Sequence, residues 1–146
     1  MLHHNRSYKD IADELYNQYK HIYKCTSKRK KIWYVFKDHK WDKINKYELT
    51  NSLYPNISNI SESITKNSVF RSKFFCIISK KFYDGNFKQN LDNNPFLIGF
   101  NNGIYDLKNK CFRKGIPNDF ISSTLNYDYM KNSQTEIAIK QIESFF

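Results

Sequence analysis

The stretch Leu91–Leu107, LDNNPFLIGFNNGIYDL, constrains the fold of this 146-residue chain more than any other. Two short apolar runs, Phe96–Phe100 and Ile104–Leu107, flank Asn101-Asn102-Gly103. Asn-Gly between β-forming segments predicts a hairpin with a type I′ turn, since that turn needs φ > 0 at both central residues. The preceding Asp92-Asn93-Asn94-Pro95 reads as a turn, because Asx side chains bond nearby backbone and proline fixes φ. A further reversal at Lys108-Asn109-Lys110 leads into Cys111-Phe112-Arg113. A loop over Gly115–Asp119 then precedes Phe120–Tyr129, where Tyr127 and Tyr129 alternate with Asp128 as in a half-buried strand.

Helical spacing dominates elsewhere. Ser7 with Asp10 forms a box-like cap, and Tyr8, Ile11, Ala12, Leu15, Tyr16, Tyr19, Ile22 and Tyr23 predict an amphipathic helix to about Tyr23. Lys24–Lys31 reads as a basic loop. Ile32–Phe36 and Trp41–Ile44, separated by polar residues, predict a second hairpin with Trp33 and Trp41 facing one core. Short helices are expected over Glu48–Leu53 and Ile57–Thr65, broken at Pro55. Val69–Phe82 reads as a buried helix, with a strand over Phe74–Ile78 as the alternative, and Asp84-Gly85-Asn86 turns the chain. Ser133 to Glu136 is a capping box opening a last helix, which presents Ile137, Ile139, Ile142, Phe145 and Phe146 to a partner. The expectation is one α+β domain, amphipathic helices on antiparallel β-hairpins, with the final helix running on into a further domain.

The hairpin segment with Phe112-Arg113 and PNDFISSTLNYDY (Pro117–Tyr129) closely resembles the domain upstream of the superfamily 3 helicase in primase-helicases of poxviruses, other large DNA viruses, phages and plasmids. The helix around Ile11-Ala12 and KIWYVFKDHKWDKI (Lys31–Ile44) fit the same opening pattern. The resemblance spans roughly Tyr8–Phe146 and departs from the pattern between Tyr47 and Phe87. Trp33, Trp41, Asp92, Gly99, Asn102, Gly103, Asp106, Asp119 and Tyr129 are the positions that match the family's motifs, and they are expected to be structural. The resemblance implies a non-catalytic module between priming and helicase domains in DNA replication. ATP and Mg²⁺ would serve only the helicase domain downstream, oligomers would form through the parent protein, and the setting would be the host cytoplasm or a viral replication site.

Absences sharpen this reading. Gly85, Gly99, Gly103 and Gly115 begin no G-x-x-x-x-G-K-[ST] run, so no nucleotide-phosphate loop is encoded here. Cys25, Cys76 and Cys111 lack zinc spacing, His3, His4, His21 and His39 are scattered, and Ser122-Ser123 has no nearby base, so neither catalytic nor metal-ligating residues are expected. No apolar run approaches the length of a bilayer span and no secretory h-region is present, so an intracellular chain without membrane contact is expected.

Net charge is +10, carried by 20 Lys and 4 Arg. Such an excess favours an anionic partner. Lys28, Arg29, Lys30 and Lys31 run into Trp33, Tyr34 and Phe36, and Lys80, Lys81, Arg113 and Lys114 would extend the patch, giving a sequence-independent surface for single-stranded or duplex DNA. Two alternatives stand beside this one. The first is a small metal-dependent nuclease or primase-like enzyme using Asp106, Asp119 and Asp128; the second is an interaction domain without DNA affinity.

Overall fold

Ser7 begins the first helix by accepting the Asp10 N–H on its hydroxyl at 3.1 Å, which satisfies one of the free amides of the first turn. In the computed structural model, which describes residues 6–131 and 134–145, helix α1 (Tyr8–Tyr19) buries Ile11, Ala12 and Leu15. Ser133, expected to cap the last helix, lies outside the described residues, together with His3, His4 and Phe146. Six α-helices and two three-stranded antiparallel sheets make up the described part, an α+β arrangement as expected. The chain divides into two compact units, one of residues 1–35 and 43–87, the other of residues 36–42 and 88–146.

In the first unit, α1 stops at Tyr19, four residues short of the expected end. A tight turn closed by the Ile22 N–H on the Tyr19 carbonyl sends Tyr23 into a strand instead. Strands β1 (Tyr23–Ser27), β2 (Ile32–Lys37) and β3 (Lys40–Ile44) follow in spatial order β1-β2-β3. Then come α2 (Lys46–Leu53), a 3₁₀ turn at Tyr54–Asn56, α3 (Glu62–Thr65) and α4 (Ser68–Lys81), and a short α5 (Phe87–Asn90) begins at the last residue of the unit. The Val69–Phe82 segment is thus a helix, and Asn67 caps it by accepting the Val69 and Phe70 N–H groups. Leu15, Trp33, Leu49, Leu53, Phe74 and Ile78 are fully buried and form the core with Phe70 and Phe82. After α4 the chain runs along β1: Cys25 donates to the Phe82 carbonyl and accepts from the Asp84 N–H.

The tip of the β2–β3 hairpin, Phe36–Asp42, belongs to the second unit. Here the expectation of one shared tryptophan core fails. Phe36 meets Trp41 edge-on at 5.6 Å, and it lies three residues from Trp33. Side chains alternate along a strand, so an odd spacing puts the two indoles on opposite faces. Trp33 enters the first core, whereas Trp41 donates its indole N–H to the Pro117 carbonyl at 2.9 Å.

In the second unit, β4 (Leu97–Phe100), β5 (Gly103–Asp106) and β6 (Cys111–Arg113) form a meander. Residues 122–129 are irregular rather than a strand, yet they cover the β4 edge through Leu125 N–H to Gly99 O and Asn101 N–H to Tyr127 O. Helix α6 (Gln134–Glu143) adds Ile139 to a core of Phe100, Tyr105 and Leu107, and leaves Ile137, Ile142 and Phe145 exposed.

The turn itself differs from the type I′ expectation. Phe100 pairs with Gly103, so Asn101 and Asn102 occupy the two turn positions, and neither takes positive φ. Asn102 is held from its side chain: Nδ2 donates to the Tyr129 carbonyl and Oδ1 accepts the Tyr129 N–H, at 3.1 and 2.8 Å. Gly103 is needed for space. A Cβ there would stand 2.6 Å from the Arg113 carbonyl of β6 and 2.6 Å from the Phe112 ring, which is itself stacked on Tyr129 at 4.5 Å. Gly103→Ala is therefore expected to cost about 2–3 kcal/mol, as overpacking against a fixed backbone does. Urea unfolding measures it, and an unchanged midpoint would show that β6 gives way freely.

Candidate nucleic-acid interface

One turn of the first unit brings several of its basic residues together. Between β1 and β2, Ser27 Oγ accepts the Lys30 N–H at 3.1 Å and Lys31 takes φ +52°, which closes a turn with Lys28, Arg29 and Lys30 exposed. Lys31 folds back so that its ammonium donates to Cys76 Sγ at 2.9 Å. Lys28 Nζ sits 4.7 Å from the Tyr83 ring centre. Lys80 is not gathered at this turn: together with Lys81 it lines a recess against α1, with Lys9, Ala12, Asp13 and Ile77. Lys81 faces α1, ion-paired with Asp13 at 2.6 Å and lying over the Tyr16 ring. The Lys81 ammonium, chiefly through its hydrogen bond, holds the Asp13 carboxyl below the usual range.

A shallow groove of about 490 Å³ opens beside the turn, lined by Lys31, Lys43, Lys46, Asn45 and Glu48, with Ile32, Trp33 and Ile44 also in its wall. Lys31 Nζ and Lys46 Nζ lie 5.5 and 4.8 Å from the centre of the same buried ring, Phe75. Lys43 and Lys46 carry no signal in the linear sequence, where they stand isolated. The return of the β2–β3 hairpin is what brings them to Lys31.

Arg113 and Lys114 lie in the second unit, and Arg113 is committed internally. Its guanidinium forms a two-pronged pair with Asp119 at 2.8 and 2.9 Å, and its Nε is 4.0 Å from Asp106. The Asp119 bond, ahead of the nearby carboxylate charges, raises the Arg113 pKa further. Asp119 also accepts the Ile116 N–H, while Asp106 accepts from the Lys108 and Asn109 N–H groups and from Asn109 Nδ2. Burial disfavours the ionised form of Asp106, but those bonds and Arg113 outweigh it and leave its pKa lowered. These two acids are thus occupied, and Asp128 is exposed. Among the described residues no group of three or more His, Cys, Asp or Glu side chains is placed to hold a metal ion.

The motif positions Asp92 and Gly99 are likewise joints of the second unit. Asp92 accepts the Ser122 and Ser123 N–H groups at 2.7 and 3.1 Å and the Ser122 hydroxyl. Desolvation works against its ionisation, and the serine bonds reverse that and lower its pKa. A Cβ on Gly99 would meet Ile121, Ser123 and Thr124 at 2.9 Å.

Charge follows the same division. The first unit has 15 Lys and Arg against 6 Asp and Glu, net +9, whereas the second has 9 against 8, net +1. No helix among the described residues is long and apolar enough to cross a membrane.

Comparison with known proteins places this architecture. A protein of Acanthamoeba polyphaga mimivirus named as a helicase, L207/L206, is 34% identical over 172 residues, covering 95% of this chain and 18% of that protein. The helicase-named 121R of Invertebrate iridescent virus 3 is 48% identical over 48 residues, 33% of this chain and 5% of its own. The helicase-named 022R of Frog virus 3 is 32% identical over 82 residues, 56% of this chain and 8% of its own. The chain therefore spans less than a fifth of the length of each of these relatives. Residues 12–146 match the family described as "D5 N terminal like", which agrees with the resemblance read from the Leu91–Leu107 segment, and the chain belongs to that family.

Proposed function

We propose that the chain is a non-catalytic module of a viral DNA primase-helicase, which links a priming domain to a superfamily 3 helicase domain and lends it a basic, sequence-independent surface for DNA. The observation that carries the DNA half is the partition of charge: nearly all of the excess belongs to the first unit, with Lys28, Arg29, Lys30 and Lys31 around one turn. Lysine contacts of this kind neutralise phosphates and release counterions, which supplies affinity without reading bases. The second unit serves as the folded connector, and the exposed Ile137, Ile142 and Phe145 on and beyond α6 suit it to pack against an adjoining domain or a neighbouring subunit. ATP and Mg²⁺ belong to the helicase domain in this reading, and the place of action is the host cytoplasm or a viral replication site.

Fluorescence anisotropy with a short labelled duplex across a salt series tests the surface. Log affinity should fall linearly with log salt, with a slope of about −0.9 per phosphate neutralised. Replacing Lys28, Arg29 and Lys30 together by alanine should make that slope shallower by roughly 2–3. No binding at low salt would leave only the connecting role.

A further inference from the structure

The groove beside the β1–β2 turn is more particular than the basic surface around it. Three lysines, Lys31, Lys43 and Lys46, line it against a single acidic residue, Glu48. None of the three has a carboxylate partner within ion-pair distance among the described residues, whereas Lys24, Lys40, Lys66 and Lys81 each have one. Lys31 and Lys46 are moreover drawn to the same ring, Phe75, which places two like charges near one another. Uncompensated like charges held together favour an anion between them.

From this we infer that the groove seats backbone phosphates of a nucleic-acid duplex, which rests on the DNA-contacting reading above and gives it a location. The chemistry of the lining selects among anions. Lysines are point charges without the planar fork of arginine, and no arginine lines the groove, so charge is read and not the outline of one phosphate ester. The aromatic wall, Trp33, is 1% exposed and its indole N–H is already given to Ser79 Oγ at 3.2 Å. The Phe75 ring is 3% exposed. No ring is therefore open in the groove to stack a splayed base, which is what single-strand binders use. A backbone with its bases turned inward fits these walls. A free nucleoside triphosphate shares the phosphate chemistry, and the experiment separates the two sources.

The full chain, its Lys43→Ala/Lys46→Ala variant, a control with Lys110→Ala/Lys131→Ala in the second unit, and the charge-keeping Lys43→Arg/Lys46→Arg variant are titrated by anisotropy. The probes are a labelled duplex, a labelled oligothymidine and a labelled ATP analogue, and thermal melts by circular dichroism verify that each variant is folded. For duplex, the alanine variant should show a log–log salt slope shallower by about 1.8, two contacts at about 0.9 each, with the control and the arginine variant unchanged. If the alanine variant matches the control while Lys28→Ala/Arg29→Ala/Lys30→Ala still weakens duplex binding, the groove is not the seat and the wider DNA surface survives. Failure of the native chain to bind duplex removes both. Loss confined to the ATP analogue makes the groove a nucleotide site, and loss confined to oligothymidine makes it a single-strand track; either result overturns the inference.

Discussion

Replacing Arg113 with alanine is expected to destabilise the protein by about 3 kcal/mol, while the affinity of the folded variant for duplex DNA stays close to that of the native chain. Asp119 is 6% exposed at its side chain and depends on the guanidinium for two of its three hydrogen bonds, the third coming from the Ile116 N–H. Removing one partner of a buried, hydrogen-bonded pair strands the other charge, at about 3–5 kcal/mol; the low end applies because the Arg113 side chain is about a third exposed. Arg113→Lys should recover only part of the loss, since an ammonium cannot span both carboxylate oxygens. Chemical denaturation with the anisotropy assay decides the matter. A variant of native stability that has lost DNA affinity would place Arg113 on the interface and remove it from the scaffold.

Trp33→Ala should cost about 4 kcal/mol, within the range for deleting a fully buried tryptophan. The indole is 1% exposed, lies 6.3 Å from Phe75 and 5.2 Å from Phe82 between ring centres, and donates to Ser79 Oγ. Trp33→Phe should be milder, because Ser79 Oγ still donates to the Phe75 carbonyl at 2.7 Å and most of the ring contact is kept. The same substitution removes part of the wall against which Lys31, Lys43 and Lys46 are arranged, so the alanine variant should also bind duplex more weakly at a temperature where it remains folded. Urea midpoints for the two variants measure the first effect. Native-like stability of Trp33→Ala would mean that α4 and β2 pack without the indole.

Much of this was legible from residue pattern alone. The 96–107 hairpin, the Ser7 cap and the α4 helix each rest on local rules, and each formed where those rules put it. Three things were not legible, for distinct reasons. The Asn-Gly pair marked the right hairpin but the wrong pair of turn residues, because the space required beside Phe112 and Arg113 governs Gly103, and Tyr129 governs Asn102 from 27 residues away. The tryptophans parted company because pleat parity, which depends on where the turn falls, overrides similarity of type. Among the basic residues, nothing local marked Lys81 as paired with Asp13 or Arg113 as already engaged with Asp119. Lys43 and Lys46 escaped notice because only the hairpin's return brings them to Lys31.

The hairpin tip carrying Trp41 has a consequence for synthesis on the ribosome. Its anchor, the Pro117 carbonyl, is encoded 76 residues later. At a translation rate of roughly 5–20 residues per second, a nascent chain holds that indole without its partner for about 4–15 s. During that interval an apolar ring is open to chaperones or to misplaced contacts, so slowing the ribosome between Trp41 and Pro117 should lower the yield of native protein more than an equal delay placed after Tyr129.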